Sequence, residues 1–181
     1  TILFTATPYR NDFSYFDVER DHTFVYSYHS AVRDGYIREV DFKEEKFERE
    51  KNGSFQSFAK YAVQCYENDV TQLGSTDENF KVIVRCNSKS AIRGITNALI
   101  NGEVSALAVH SKFSSEEASF VEDVPDKEDL EAKFLVHQFK LIEGINIPSI
   151  RSLIFYDGFA NARSVVQQIG RIIRNPVRRK G

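Results

Sequence analysis

The sequence predicts an α/β fold, a mostly parallel sheet covered by helices. Two observations carry that prediction. From residue 80 onward, short apolar runs alternate with longer stretches of helical period, the pattern of consecutive βαβ units. The residues with the most distinctive chemistry fall just after those runs, where open parallel sheets gather ligands.

The elements follow in order along the chain. Ile2 to Thr5 reads as a short apolar strand ended by Pro8, and Asn11 to Asp21 as a connector. Thr23 to Tyr28 is rich in β-formers, and Ser30 to Arg33 reads as a helical turn closed by Gly35. Tyr36 to Phe42 alternates apolar and polar residues and predicts a strand. A charged stretch from Glu44 ends at the turn signal Asn52-Gly53. Ser54 then resembles an N-cap, followed by Phe55, Phe58, Ala59, Ala62, Val63 and Tyr66 at helical spacing. The regular part begins with a strand over Lys81–Cys86 and a helix from Ser88 to Ile100. A strand over Ser105–Val109 and a polar helix or loop come next. Lys133–His137 forms a strand leading into a glycine turn, and Ile150–Tyr156 a strand leading into a helix over Ala162–Arg174. In such a sheet the loops after Cys86, Val109, His137 and Tyr156 share one edge.

Composition narrows the class. At 181 residues, 41% hydrophobic and 28% charged, the chain suits one sizeable domain with an appendage. No apolar run is long enough to span a bilayer, and Thr1-Ile2-Leu3-Phe4 is not a secretory signal. Cys65 and Cys86 lack metal-ligand spacing and read as reduced, buried thiols, which suggests the cytoplasm. His22, His29, His110 and His137 fit no zinc pattern and read as surface or strand-end residues, so no metal site is expected. A net charge of −2 predicts no global attraction to nucleic acid, though a local basic groove remains open. Glu116 to Glu131 holds eight acids against one lysine and reads as a solvated loop or helix face. The chain opens on an apolar run with no initiator methionine, as expected for a piece of a longer protein.

Three stretches carry chemistry. Arg171 and Arg174, three apart beside Gly170, would project from one helix face anchored by Val165, Val166, Ile169, Ile172 and Ile173. Guanidinium forks suit phosphate oxygens, and Gly170 admits a close neighbour. An amphipathic helix with solvated arginines would read the same way. Gly144 in Glu143-Gly-Ile-Asn-Ile-Pro148 follows a strand closely enough to bring backbone amides to a ligand. Asn146 offers it a donor and an acceptor. A plain strand connection is the alternative. Thr5-Ala6-Thr7-Pro8 puts two hydroxyls at a strand end, which fits an ordinary turn equally well.

The order of these stretches resembles the C-terminal half of superfamily 2 helicases and translocases. Thr5 to Thr7 looks like their motif III, Lys81 to Ser88 like motif IV, Phe134 to Pro148 like motif V and Gln167 to Arg174 like motif VI. Thr5 to Arg10 and Asp34-Gly35-Tyr36 are closest to the DEAD/DEAH branch that includes type III restriction subunits. The resemblance implies a RecA-like domain of the P-loop NTPase fold, the second of two. Residues 1–22 would be the end of the first RecA-like domain with its linker, and 23–181 the second domain. Residues 1–22 would pack against the rest of the first domain, or dangle without it. The phosphate loop and the acidic magnesium motif of that first domain are not in this sequence.

By the same resemblance, ATP with Mg2+ would sit between the two domains, the Mg2+ ligands coming from the first. Arg171 matches the arginine finger and Arg174 its partner. Gln167 links that edge to the nucleotide, and Gly144 and Asn146 lie near the ATP and its ribose. Asn87, Ser88, His110, Ser111 and Gln138 fall where relatives grip nucleic acid, and Thr5 and Thr7 where they couple the domains. Position 146 is Asn where many relatives have Asp, and 138 is Gln where many have Thr. Position 168 is Gln where the DEAD-box pattern often has Arg, which argues against that RNA-directed branch. The expectation is the C-terminal domain of an ATP-dependent helicase or translocase, inactive alone, with DNA favoured over RNA as partner and no membrane association. The alternative is a non-catalytic RecA-like clamp or regulatory interaction domain.

Overall fold

The computed structural model describes residues 24–44, 54–72, 80–113, 117–125, 130–138, 147, 149–158 and 162–173. The elements are α1 (Tyr28–Arg33), α2 (Ser54–Gln72), β1 (Lys81–Arg85), α3 (Lys89–Asn101), β2 (Ala106–Val109), β3 (Phe120–Val121), β4 (Phe134–His137), β5 (Ile150–Phe155) and α4 (Ala162–Ile172). The five strands form one sheet in the order β3-β2-β4-β1-β5, and every adjacent pair is parallel. The α/β parallel sheet flanked by helices is therefore the observed architecture. The segment 1–22, with Thr5 and Thr7, lies outside the described residues.

The strands β2, β4 and β1 are buried on both faces, which explains their continuous apolar runs. Along β1, Val82, Val84 and Cys86 join one core cluster and Ile83 the other. The first cluster takes Phe58, Ala59 and Ala62 from α2 and Ala91, Ile92, Ile95 and Leu99 from α3. The second gathers Leu107, Val109, Leu135, Ile147 and Ile150, with Leu153 and Ile172 packed against them. α3 starts where Ser88 Oγ accepts the Ala91 N–H at 3.2 Å, an N-cap that satisfies an otherwise orphaned donor. It ends at Gly102, whose N–H donates to Ala98 O and Leu99 O. Lys81 starts β1 and is buried. Its Nζ donates to Leu130 O at 2.7 Å and Ala132 O at 2.9 Å, tying down the approach to β4.

Several expectations are corrected. Tyr36 to Phe42 is not a strand. Only Ile37 makes a bridge, and the Arg38 N–H donates to Ile173 O at 2.7 Å instead of joining a ladder. Residues 24–27 are irregular, and Tyr28 begins α1 on a Ser27 N-cap. The acidic run contains β3, which pairs Phe120 with Ala108 and Val121 with Val109. Its described acids Glu117, Glu122, Asp123 and Glu131 are exposed, as expected of a solvated stretch. Val166 is 41% exposed, so it does not anchor α4, whereas Val165 is buried. Of the two places expected for the histidines, surface or strand end, His137 and His110 take the strand end: His137 closes β4, His110 follows β2, and both are buried. Cys86 is buried as expected, but Cys65 is partly exposed.

Candidate functional site at the carboxyl edge of the sheet

Parallel strands place their carboxyl ends on one edge, and four of the expected loops meet there. The loops after β2, β4, β1 and β5 are joined by hydrogen bonds in the same order as the strands themselves. The Lys112 N–H donates to His110 Nδ1 at 3.0 Å. An accepting Nδ1 leaves the proton of the neutral ring on Nε2. Nε2 then donates to Gln138 Oε1 at 3.1 Å. That contact orients the Gln138 amide, whose Nε2 donates to Asn87 O at 2.6 Å. Asn87 completes the line. Its N–H donates to Asp157 Oδ2 at 2.7 Å and its Nδ2 to Gly158 O at 3.1 Å, while its Oδ1 accepts from Arg85.

The chain of contacts explains why these residue types stand at strand ends. The backbone groups released where β1, β4 and β5 stop need partners. Amides can donate and accept at once, so Asn87 and Gln138 can each join two neighbouring loops. Beneath the line, the Cys86 thiol has its pKa pushed up to about 12, first by burial and then by the Asp157 carboxylate, with Arg85 opposing.

A second group of contacts fixes the loop after β2 to α3. Lys89 Nζ donates to Lys112 O at 2.8 Å and lies 5.1 Å from the Phe113 ring centre. Arg93 Nη1 reaches both Glu117 carboxylate oxygens at 2.9 Å. Its guanidinium stacks 4.6 Å from the Phe120 ring centre, an arrangement that favours a planar cation. Ser111 and Lys112 are exposed at the tip of this loop, beside the N-terminus of α3.

The structure thus brings together Asn87, Ser88, His110, Ser111 and Gln138. The side chains of Asn87, His110 and Gln138 are occupied by their neighbours, and Ser88 Oγ is occupied by its helix cap. Gln167 is exposed on α4, Gln168 is almost fully buried, and nothing described lies within 4 Å of a Cβ built on Gly170. Arg171 falls in the last turn of α4. Gly144, Asn146 and Arg174 lie outside the described residues. Asp157 belongs to the site although its sequence context did not mark it. An acid directly after the last strand of a parallel sheet was the available signal. Among the described residues no cluster of His, Cys, Asp or Glu could hold a metal ion, and no helix is long and apolar enough to cross a membrane.

Comparison with known proteins follows the same lines. Residues 62–176 match the family model "Helicase conserved C-terminal domain". That span covers β1 to β5, α3 and α4 and both halves of the edge described above. Among solved structures, the chain is similar to the crystal structure of the Pyrococcus furiosus Hef helicase domain. Identity is 20% over 62% of this chain and 22% of that one, with a TM-score of 0.43. No curated protein matches the chain. With the family model spanning most of its length, this chain belongs to the helicase conserved C-terminal domain family.

Proposed function

We propose that this domain is the second RecA-like half of an ATP-driven motor that moves along nucleic acid, with DNA favoured over RNA. The observation that carries the proposal is the hydrogen-bonded line from Lys112 to Gly158, which ties four strand-end loops to one another. A motor needs such a connection, because a change at the nucleotide must reach the strand-gripping surface.

Within this reading the two tasks are divided along the edge. Asn87, His110 and Gln138 set the position of the loops, since their polar atoms are taken up internally. Ser111 and Lys112, exposed beside the N-terminus of α3, would meet the phosphates of the tracked strand, with Ser88 holding that helix end in place. Gln167 is exposed, and among the described residues nothing would meet a Cβ on Gly170, which fits the approach of an anionic group from a companion domain.

ATP with Mg2+ would supply the phosphoryl group whose hydrolysis drives the cycle, held largely by that companion domain. The residues of this chain would complete the site. Arg171, with Arg174 as its partner, would set a permanent positive charge against the phosphate oxygens. Gly144 and Asn146 would lie by the ribose, and Gln167 would tie α4 to the nucleotide. Thr5 and Thr7 would couple the two domains. The preference for DNA comes from the likeness of Thr5 to Arg10 and Asp34 to Tyr36 to the restriction-subunit branch.

The test is ATP turnover by the full-length protein, with single-stranded DNA, duplex DNA and RNA as stimulants. DNA should stimulate most. Arg171→Ala should lower kcat by about 10³-fold with KM for ATP little changed, the scale of an arginine finger. The 181-residue chain alone should hydrolyse no ATP. If the full-length protein has no nucleic-acid-stimulated turnover, the domain is a RecA-like clamp and the motor reading is wrong.

A further inference from the structure

We propose that Arg38 is a positioning residue for the arginine-bearing helix α4, an inference that rests on the motor reading above. Arg38 lies far upstream in sequence, in the irregular segment after α1, yet it closes the far end of α4. Its N–H donates to Ile173 O at 2.7 Å. Its Nη1 donates to Ile172 O at 3.2 Å and reaches Ile150 O, at the first residue of β5, at 3.5 Å.

The last carbonyls of a helix have no partner within it and carry its negative end. The Arg38 guanidinium answers both needs, bonding Ile172 O while opposing the dipole, and the Arg38 N–H takes Ile173 O. Arg38 therefore does for α4 what Gly102 and its neighbours do for α3, but from another part of the chain. The site of its action is specific. Ile172 is the residue after Arg171, so the contact fixes the backbone on the carboxyl side of the proposed finger. Buried Val165 and Gln168 fix the helix on the other side. With the contact to Ile150, one side chain holds the end of α4 to the start of β5, and so sets how α4 lies on the sheet.

The rest of the segment is built to present Arg38. The Tyr28 phenol accepts the Val40 N–H at 2.8 Å, and the Tyr36 and Ile37 N–H groups both donate to Ala31 O. α1 is therefore clamped to the irregular stretch that carries Arg38. In the motor, this segment directly follows the stretch assigned to the first RecA-like domain, so a displacement of that domain would reach α4 through Arg38.

The experiment is a double-mutant cycle on ATP turnover by the full-length protein, paired with amide hydrogen exchange. Arg38→Ala should lower kcat roughly tenfold with KM for ATP unchanged, since a small misplacement of a catalytic group has a large effect on rate. Arg38→Lys, which can reach one carbonyl, should recover part of the loss. Combined with Arg171→Ala, Arg38→Ala should add no further loss, because it acts through that residue. In the 181-residue chain, Arg38→Ala should speed exchange at Ile169 to Ile173 and leave α3 unchanged. If Arg171→Ala lowers kcat but Arg38→Ala does not, or if the two losses multiply, the role of Arg38 is refuted and the finger stands. If Arg171→Ala has no effect, the finger reading itself fails. Should Arg38→Ala not fold, Arg38→Lys decides alone, and wild-type turnover and exchange in that variant overturn the proposal.

Discussion

Gln138 donates to the carbonyl oxygen of Asn87 at 2.6 Å, joining the end of β4 to the loop after β1. The amide has a single working orientation, because its other end accepts from His110. Gln138→Ala removes both contacts and leaves Asn87 O and His110 Nε2 to find water. The expected loss is about 1–2 kcal/mol of folding stability. Gln138→Glu is expected to be worse, although it is closer in shape. A carboxylate can still accept from His110, but it sets an oxygen against Asn87 O, acceptor facing acceptor. Urea unfolding of the two variants gives the comparison. If Gln138→Glu is as stable as the wild type, the bond from Gln138 to Asn87 O adds nothing to the stability of the fold.

The Tyr26 phenol donates to Asp34 Oδ2 at 2.6 Å, and Arg33 Nε donates to Asp34 Oδ1 at 3.0 Å. The bond to Asp34 pushes the Tyr26 pKa up to about 12, and Asp34 falls below the ordinary carboxylate range, chiefly through the Tyr26 bond and then the Arg33 bond. The signs follow from linkage. The raised Tyr26 contributes stability that is fully present below its unfolded value near 10 and is lost as pH rises through about 12. The lowered Asp34 contributes stability present above its unfolded value and lost as pH falls through its folded one. Phenolate absorbance should therefore contain a late-titrating component from Tyr26, and Asp34→Asn should remove it. A wild-type titration with no late component would mean that the contact does not persist in solution.

The two cysteines should differ sharply in reactivity. Cys86 is buried under the carboxyl edge with its pKa pushed up to about 12, so at neutral pH it presents no thiolate and no access. Cys65 sits on α2 and is partly exposed. A thiol reagent at pH 8 should modify Cys65 within minutes and Cys86 only on unfolding, with mass spectrometry of peptides assigning the site. Equal labelling of both in the native chain would show that the loop after β1 opens far more readily than its hydrogen bonds imply.

The parallel sheet was legible because β1, β2, β4 and β5 are apolar runs with turn residues at their ends, a pattern that depends on local sequence alone. β3 was not, because two residues inside an acidic run carry no period. Phe120 and Val121 become a strand only when β2 supplies a partner edge. Tyr36 to Phe42 shows the converse. Its alternation is that of a strand, but its backbone meets the end of α4 through Arg38 and joins no ladder. At the site, Asn87, His110 and Gln138 were legible by their place after strands. Their roles were not, since a hydrogen bond to a distant backbone oxygen leaves no trace in composition. Arg38, which donates to distant carbonyls, and Asp157, which accepts a distant backbone N–H, are of the same kind.

Gly94 gives the most direct test of the packing between α2 and α3. In the interior of a helix, replacing glycine by alanine ordinarily stabilises by about 1 kcal/mol. Here a Cβ on Gly94 would stand 2.3 Å from Phe55 Cδ2 and 2.5 Å from Cε2, far inside contact distance. The ring cannot withdraw freely, because it packs against Tyr156 with centroids 5.8 Å apart. Overpacking of this kind costs about 1–3 kcal/mol, so Gly94→Ala should be net destabilising. Phe55→Ala removes the obstacle at its own cost in buried area. In that background the same Gly94→Ala change should become stabilising, by about 1 kcal/mol, since only the helix preference remains. The reversal of sign is measured by urea unfolding of the four proteins. If Gly94→Ala stabilises the wild type, or destabilises both backgrounds equally, Phe55 does not pack on Gly94 and the contact between the two helices is made elsewhere.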